Sequence, residues 1–159
     1  MNYPMTKNGE RALKEQLQFL QEKERPRIAE ALHKAASLGD LSENAEYDSA
    51  KRDQENLEVK IAKINERLNN AQVIDPSQIK DTDKVTFGAT VTLLNLDNEK
   101  EITITIVGED EADLSKGLIA YNSPTARACI GKHEEDIIEV QAPAGIIEYE
   151  ITNINYNLD

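Results

Sequence analysis

One cysteine, no tryptophan, two phenylalanines and five tyrosines in 159 residues leave little material for a large aromatic-filled core. The lone Cys129 excludes an internal disulfide and any cysteine-cluster metal site, and is expected to pack as a small hydrophobe. No run of about 18 apolar residues is present, so no membrane span is expected. Residues 1–6 also lack the basic-then-apolar pattern of a secretion signal, which makes a cytoplasmic protein the expectation. The two histidines, His33 and His133, stand in different halves, and no Gly-rich phosphate loop or Ser/His/Asp spacing occurs. These absences argue against an independent hydrolase. The acidic run Glu109-Asp110-Glu111-Ala112-Asp113 lacks the alternating ligands, central glycine and final glutamate of a calcium loop, and reads as a solvated or partner-facing loop.

Basic residues are scarce in one half only. The net charge is −12, which on a whole-chain view opposes binding of bare nucleic acid by counterion release. Residues 1–75 carry 12 Lys/Arg against 14 Asp/Glu, whereas residues 76–159 carry 6 against 16. Two different bodies are implied.

What the first half does have is helical periodicity. Thr6 is a reasonable N-cap, and Leu13, Leu17, Leu20, Ile28, Ala31, Leu32 and Ala35 then recur on one face to about Leu38. Pro26 sits inside this pattern, where it removes a backbone hydrogen bond and should bend or briefly break the helix. Further on, Tyr47, Ala50, Gln54, Leu57, Ile61, Ile64, Leu68 and Ala71 alternate steps of three and four, a heptad seam. Two such helices joined by a short bend pack antiparallel, giving a coiled-coil hairpin with arms of about 30 residues and roughly 45 Å. Charges cover the outer faces, with Glu10/Lys14, Glu30/Lys34 and Asp48/Arg52 at helical spacing.

The second half changes texture. Asn69 to Gln72 closes the helix, a polar connector follows from Asp75 to Asp83, and the domain boundary is placed near residue 76. Strand-like runs are Val85–Leu94, Glu101–Val107, Ile137–Gln141 and Ile146–Tyr156, with hairpin turns at Asp97-Asn98 and Pro143-Ala144-Gly145. Asn122-Ser123-Pro124 supplies a cap and a first-turn proline, and Gly131 a stop, for a helix of about two turns. The fold class is therefore α+β: residues 1–76 as an antiparallel coiled-coil hairpin with an acidic tip at 37–47, and residues 77–159 as a small antiparallel β domain with one short helix.

The bend is the chemically interesting stretch. Gly39 can stop one helix and Asp40 or Ser42 can cap the next, while Asp40 and Glu43, three residues apart, point to one side. Two carboxylates there can offer oxygen ligands to Mg²⁺, but two alone hold it weakly. Such a pair makes sense if another macromolecule supplies the remaining ligands and a phosphate. On spacing alone, helix capping and the helix dipole are the readier account of acids at this place.

The stretch Gly39-Asp40-Leu41-Ser42-Glu43-Asn44-Ala45-Glu46-Tyr47 resembles the tip motif of the bacterial Gre transcript cleavage factors. Asn70 to Asp75, Phe87-Gly88-Ala89-Thr90-Val91, Asp110 to Asp113, and Asn122-Ser123-Pro124 through Lys132 are similar to the same family, in order and over essentially the whole chain. Within the family, the low count of basic residues on the arm is less like the GreB branch.

The resemblance implies an FKBP-like globular domain that docks at the rim of the RNA polymerase secondary channel while the coiled coil reaches the active centre. It implies an accessory factor, not an enzyme, that stimulates the polymerase's own cleavage of backtracked RNA at its 3′ end. Asp40 and Glu43 would then help hold a Mg²⁺ shared with polymerase, none being tightly bound alone, and orient the attacking water. By the same resemblance Ser42 and Asn44 shape the bend or contact RNA and polymerase. Lys34, Lys51 and Arg52 steer the extruded RNA, and Asn122, Ser123 and Pro124 contact the polymerase rim. A monomer without a membrane partner is expected.

Two other readings stay open at this level. One is a channel-occupying regulator that docks without promoting cleavage; the other is a coiled-coil adaptor in which the bend has no role. Prolyl isomerase activity is disfavoured, since Phe87, Tyr121, Tyr149 and Tyr156 do not mark an aromatic-lined pocket.

Overall fold

The computed structural model describes residues 2–37, 44–75 and 82–156. The chain begins with strand β1 (Tyr3–Thr6), followed by helix α1 (Lys7–Phe19), a wide turn over Leu20–Glu24, helix α2 (Arg25–Ala36) and helix α3 (Ala45–Asn69). Strand β2 (Ala71–Ile74) closes this half, and β1 and β2 form a two-stranded sheet. After the connector come β3 (Thr90–Asn95), β4 (Glu101–Val107), β5 (Leu118–Ala120), helix α4 (Pro124–Cys129), β6 (Ile137–Ala142) and β7 (Gly145–Asn155).

The chain divides into two units. Glu10–Ala71 makes up the body of the first, and Tyr3–Gly9 with Gln72–Asp159 the second. This division by contacts stands beside the expected boundary near residue 76. The break falls between Ala71 and Gln72, and the N-terminal segment joins the second unit because Met5 is buried, 3% exposed, beside β4 and the turn that follows it.

In the first unit the seam residues Leu13, Leu20, Ile28 and Ala35 of one arm and Ala50, Leu57, Ile61 and Ile64 of the other are buried. Leu17, Leu32, Tyr47, Gln54 and Leu68 are half-buried, while Ala31, expected on the seam, lies exposed. Arg25 donates from Nε and Nη2 to both carboxylate oxygens of Glu58, each at 2.9 Å, and this pairing raises the Arg25 pKa. Further along, Asn44 meets Ala35, so the arms run antiparallel. Glu10 pairs with Lys14 at 3.5 Å, and Arg27 with Glu24 at 2.7 Å.

Pro26 neither breaks the arm nor leaves an ordinary helix. Five residues before it, Leu20–Glu24 form a π-turn, and the Arg25 N–H bonds back to the Leu20 carbonyl. Such a turn takes in one extra residue. It lets Pro26 enter at the start of α2, where a missing N–H costs little.

The second unit is a five-stranded sheet in the order β5-β4-β3-β7-β6. It is mixed, not wholly antiparallel as expected, since β4 and β5 pair in parallel through Thr105↔Leu118, Ile106↔Ile119 and Val107↔Ala120. A bulge at Thr152 shifts the β3–β7 register between Thr92↔Asn153 and Leu93↔Ile151. Val85, Val91, Leu93, Ile106, Cys129 and Ile151 are fully buried, with α4 packed over β6 and β5. The Tyr156 hydroxyl donates to the Lys84 carbonyl and lies 3.0 Å from the Thr86 nitrogen, whose N–H it accepts. Cys129 is packed as expected, and burial pushes its thiol from 9.0 up to about 11. No described helix is long and apolar enough to cross a membrane.

Candidate functional site at the hairpin end

The ends of the two arms are fastened by one side chain. Asn44 is the N-cap of α3, its Oδ1 accepting from the Tyr47 N–H at 3.1 Å, while its Nδ2 donates to the Ala35 carbonyl oxygen at 2.5 Å. A single amide therefore satisfies an orphan donor at the start of one helix and an orphan acceptor at the end of the other. Ser37 closes α2 on the same side: its N–H bonds to the His33 and Lys34 carbonyls, and its hydroxyl donates to Lys34 O at 2.7 Å.

Of the residues expected to carry chemistry here, Asp40, Ser42 and Glu43 lie outside the described residues, as does Gly39. The cap of α3, expected at Asp40 or Ser42, is Asn44, because the helix begins only at Ala45, and the same side chain is a clasp within the hairpin. Lys34 stands in the last turn of α2, and Lys51 and Arg52 in the second turn of α3, all exposed. His33 is exposed as well. The carboxylate pair is the right donor chemistry for a hard cation, and among the described residues no group of three or more His, Cys, Asp or Glu is arranged to hold a metal.

The second candidate stretch lies in the β-rich unit. Ser123 caps α4, its Oγ accepting from the Ala126 N–H at 3.3 Å, with Pro124 at the first helical position. Asn122 is exposed and donates from Nδ2 to Glu109 Oε1 at 2.7 Å. Next to it Tyr121 packs on Phe87, ring centroids 6.1 Å apart and tilted by 60°. Asp113, in the loop before β5, is pulled below the usual carboxylate range, first by the Ser115 hydroxyl and then by the Ser115 N–H. Glu111, assigned to a solvated loop, is instead half-buried and accepts hydrogen bonds from Thr6. The sequence shows only that the acid is missing, Thr6 being followed three residues on by Gly9 where an acid is usual; it does not show which residue replaces it.

The sequence is similar to known proteins over nearly its whole length. Residues 3–73 match the family model described as transcription elongation factor, N-terminal, and residues 80–156 match transcription elongation factor, GreA/GreB, C-term. The chain is 51% identical over 154 residues to the transcription elongation factor GreA of Alkalilimnicola ehrlichii, covering 97% of this chain and 98% of that one. It is 48% identical to GreA of Pseudomonas putida, covering 97% and 96%. Among solved structures, the GreA factor homolog 1 (Gfh1) of Thermus thermophilus aligns over 98% of this chain and 99% of its own, at 20% identity and a TM-score of 0.44. With both halves matched and half of all positions shared with GreA relatives, the chain belongs to the GreA/GreB family of transcription elongation factors.

Proposed function

We propose that this factor acts as a monomer in the cytoplasm, inserting its hairpin into the secondary channel of RNA polymerase and stimulating the polymerase's own cleavage of backtracked RNA. The observation that supports this reading is the Asn44–Ala35 clasp, which joins the end of α2 to the start of α3, the two elements between which Asp40 and Glu43 stand in sequence. A stiff pair of arms ending in two acids suits delivery of carboxylates into a site built by another protein.

In this reading Asp40 and Glu43 supply oxygen ligands to a Mg²⁺ shared with polymerase and accept hydrogen bonds from the attacking water, fixing its approach to the phosphodiester. Magnesium, when bound, stabilises charge on the phosphoryl oxygens and acidifies water. Water adds at phosphorus, the 3′ oxygen of the upstream nucleotide leaves with a proton, and a short RNA with a 5′ phosphate is released. Lys34, Lys51 and Arg52 attract the extruded RNA through its phosphates. Ser42 lies between the two acids in sequence and shapes the bend. Asn122, Ser123 and Pro124 contribute to docking at the channel rim.

The test is to incubate the purified protein with an arrested elongation complex, and separately with naked RNA, at neutral pH with Mg²⁺. Shortened transcripts are expected in the first sample only. Binding to polymerase without shortening would favour an occupying regulator, and cutting of naked RNA would make the chain a nuclease.

A further inference from the structure

We infer that Glu111 is a positioning residue for the start of α1: from 105 residues away its carboxylate completes the cap of that helix and fastens the segment Tyr3–Gly9 to the rest of the second unit. This deepens the polymerase reading and rests on it for its functional consequence.

A Ser or Thr N-cap is commonly answered three residues later by Glu or Gln, whose side chain returns to the N–H of the cap residue. Here the first half of that exchange is present, with Thr6 Oγ1 accepting from the Gly9 N–H at 3.0 Å. The second half cannot be made locally, because position N3 is a glycine. Glu111 supplies it: Oε2 accepts from the Thr6 N–H at 3.1 Å, and Oε1 accepts from the Thr6 hydroxyl. The same carboxylate lies 3.4 Å from the Gly108 nitrogen, whose N–H it also accepts.

Two glycines clear the space for this arrangement. A Cβ at buried Gly9 would lie 2.3 Å from Glu111 Cδ, so no side chain fits there while Glu111 is in place. A Cβ at Gly108 would lie 2.6 Å from the Pro4 carbonyl oxygen, so β1 also approaches the turn after β4 too closely for any other residue. On the other side of the segment, Lys7 pairs with Asp75 at 2.8 Å.

A glutamate at position 9 would cap the helix as well. The distant carboxylate does more, because the hydrogen bonds that start α1 are made to the second unit. Lys7–Gly9, the root of the helix that becomes the first arm, is thereby held by the unit proposed to dock. An arm that sets catalytic groups against a foreign active centre depends on such a root, since a misplacement of about 1 Å can cost on the order of 100-fold in rate.

The experiment compares wild type, Glu111→Ala, Glu111→Gln and the double variant Gly9→Glu/Glu111→Ala. It reads amide exchange at Thr6 and Gly9, and the half-saturating concentration and maximal rate of transcript shortening in arrested complexes. Glu111→Ala is expected to expose the Thr6 amide and lower the maximal rate about 10-fold or more, with half-saturation nearly unchanged. Glu111→Gln, which keeps one acceptor oxygen, should fall between. The double variant restores the local cap without the tie, so its Thr6 amide should be protected again while cleavage stays low. Full recovery of cleavage in the double variant would reduce Glu111 to a helix cap and overturn the inference, as would an undiminished maximal rate in Glu111→Ala. An unprotected Thr6 amide in wild type would remove the clamp itself. If wild type shortens no transcript at all, the polymerase reading and its cleavage consequence fall together, while the amide comparison still decides the clamp.

Discussion

Asn44 and Ala35 are nine residues apart in sequence and 2.5 Å apart as donor and acceptor, so the last helical carbonyls of one arm and the first amide donors of the other share a side chain. Cap residues contribute about 1 kcal/mol each through the amide they satisfy. Asn44 adds closure of the hairpin to that.

Asn44→Ala should therefore destabilise the hairpin by about 1–2 kcal/mol and speed exchange of the Tyr47 amide. Asn44→Asp separates the two roles, since aspartate still accepts from Tyr47 but cannot donate to Ala35. Its Tyr47 amide is expected to stay protected while thermal stability falls. Equal exchange in all three proteins would show that the cap is not formed in solution, and an unchanged thermal stability in Asn44→Asp that the clasp is not.

Leu20 and Ile28, both buried on the seam, are eight residues apart, whereas Leu13 to Leu20 and Ile28 to Ala35 are steps of seven. An uninterrupted helix turns about 100° per residue, so an eight-residue step would carry Ile28 well off the face. The π-turn at Leu20–Glu24 absorbs the extra residue and keeps the seam in line. Deleting exposed Glu22 together with Pro26→Ala converts the spacing to uniform sevens. That variant should keep its helix content by circular dichroism and its melting temperature within a few degrees. Inserting one alanine after Glu22 in the wild-type sequence should instead lower the melting temperature sharply. A larger loss from the deletion than from the insertion would contradict the register account.

Those same residues show what was legible in advance. The seam could be read because every second-arm position from Tyr47 to Leu68 obeys one period, and Pro26 announced an irregularity without saying that a wide turn would absorb it. Strands of six or more residues, such as β4 and β7, gave themselves away by apolar patterning and flanking turns. Tyr3–Thr6, Ala71–Ile74 and Leu118–Ala120 are too short to show a period, and only their pairing partners make them strands. Missing β5 concealed the parallel edge, and missing β1 concealed the transfer of residues 3–9 to the second unit. At the site, a cap for the second helix was legible, though on Asp40 or Ser42, and neither the capping role of Asn44 nor its bond to Ala35 was. Glu111 could not be linked to Thr6 by any local rule, since 105 residues separate them.

Cys129 provides a pH handle on the β-rich unit. Its folded thiol titrates at about 11 against an ordinary 9.0, because burial penalises the thiolate. Below about pH 9 both folded and unfolded chains hold the proton, and the group is neutral in stability. Between pH 9 and 11 the unfolded chain releases the proton and the folded one keeps it, so stability should fall by roughly 1.4 kcal/mol per unit. Comparing denaturant midpoints of wild type and Cys129→Ala from pH 8 to 11 isolates this contribution from other groups. Parallel curves for the two proteins would contradict it. At pH 8, alkylation of the thiol should be slow in native protein and fast in denaturant.

The central claim is that Asp40 and Glu43 work on RNA held by polymerase. It is tested most directly by measuring transcript shortening in arrested elongation complexes with wild type and with Asp40→Ala/Glu43→Ala, alongside binding of each to polymerase. The account predicts that the double variant binds as well as wild type and that stimulated cleavage drops to the level of polymerase alone. Cleavage undiminished in the double variant would contradict it and return the two acids to helix punctuation.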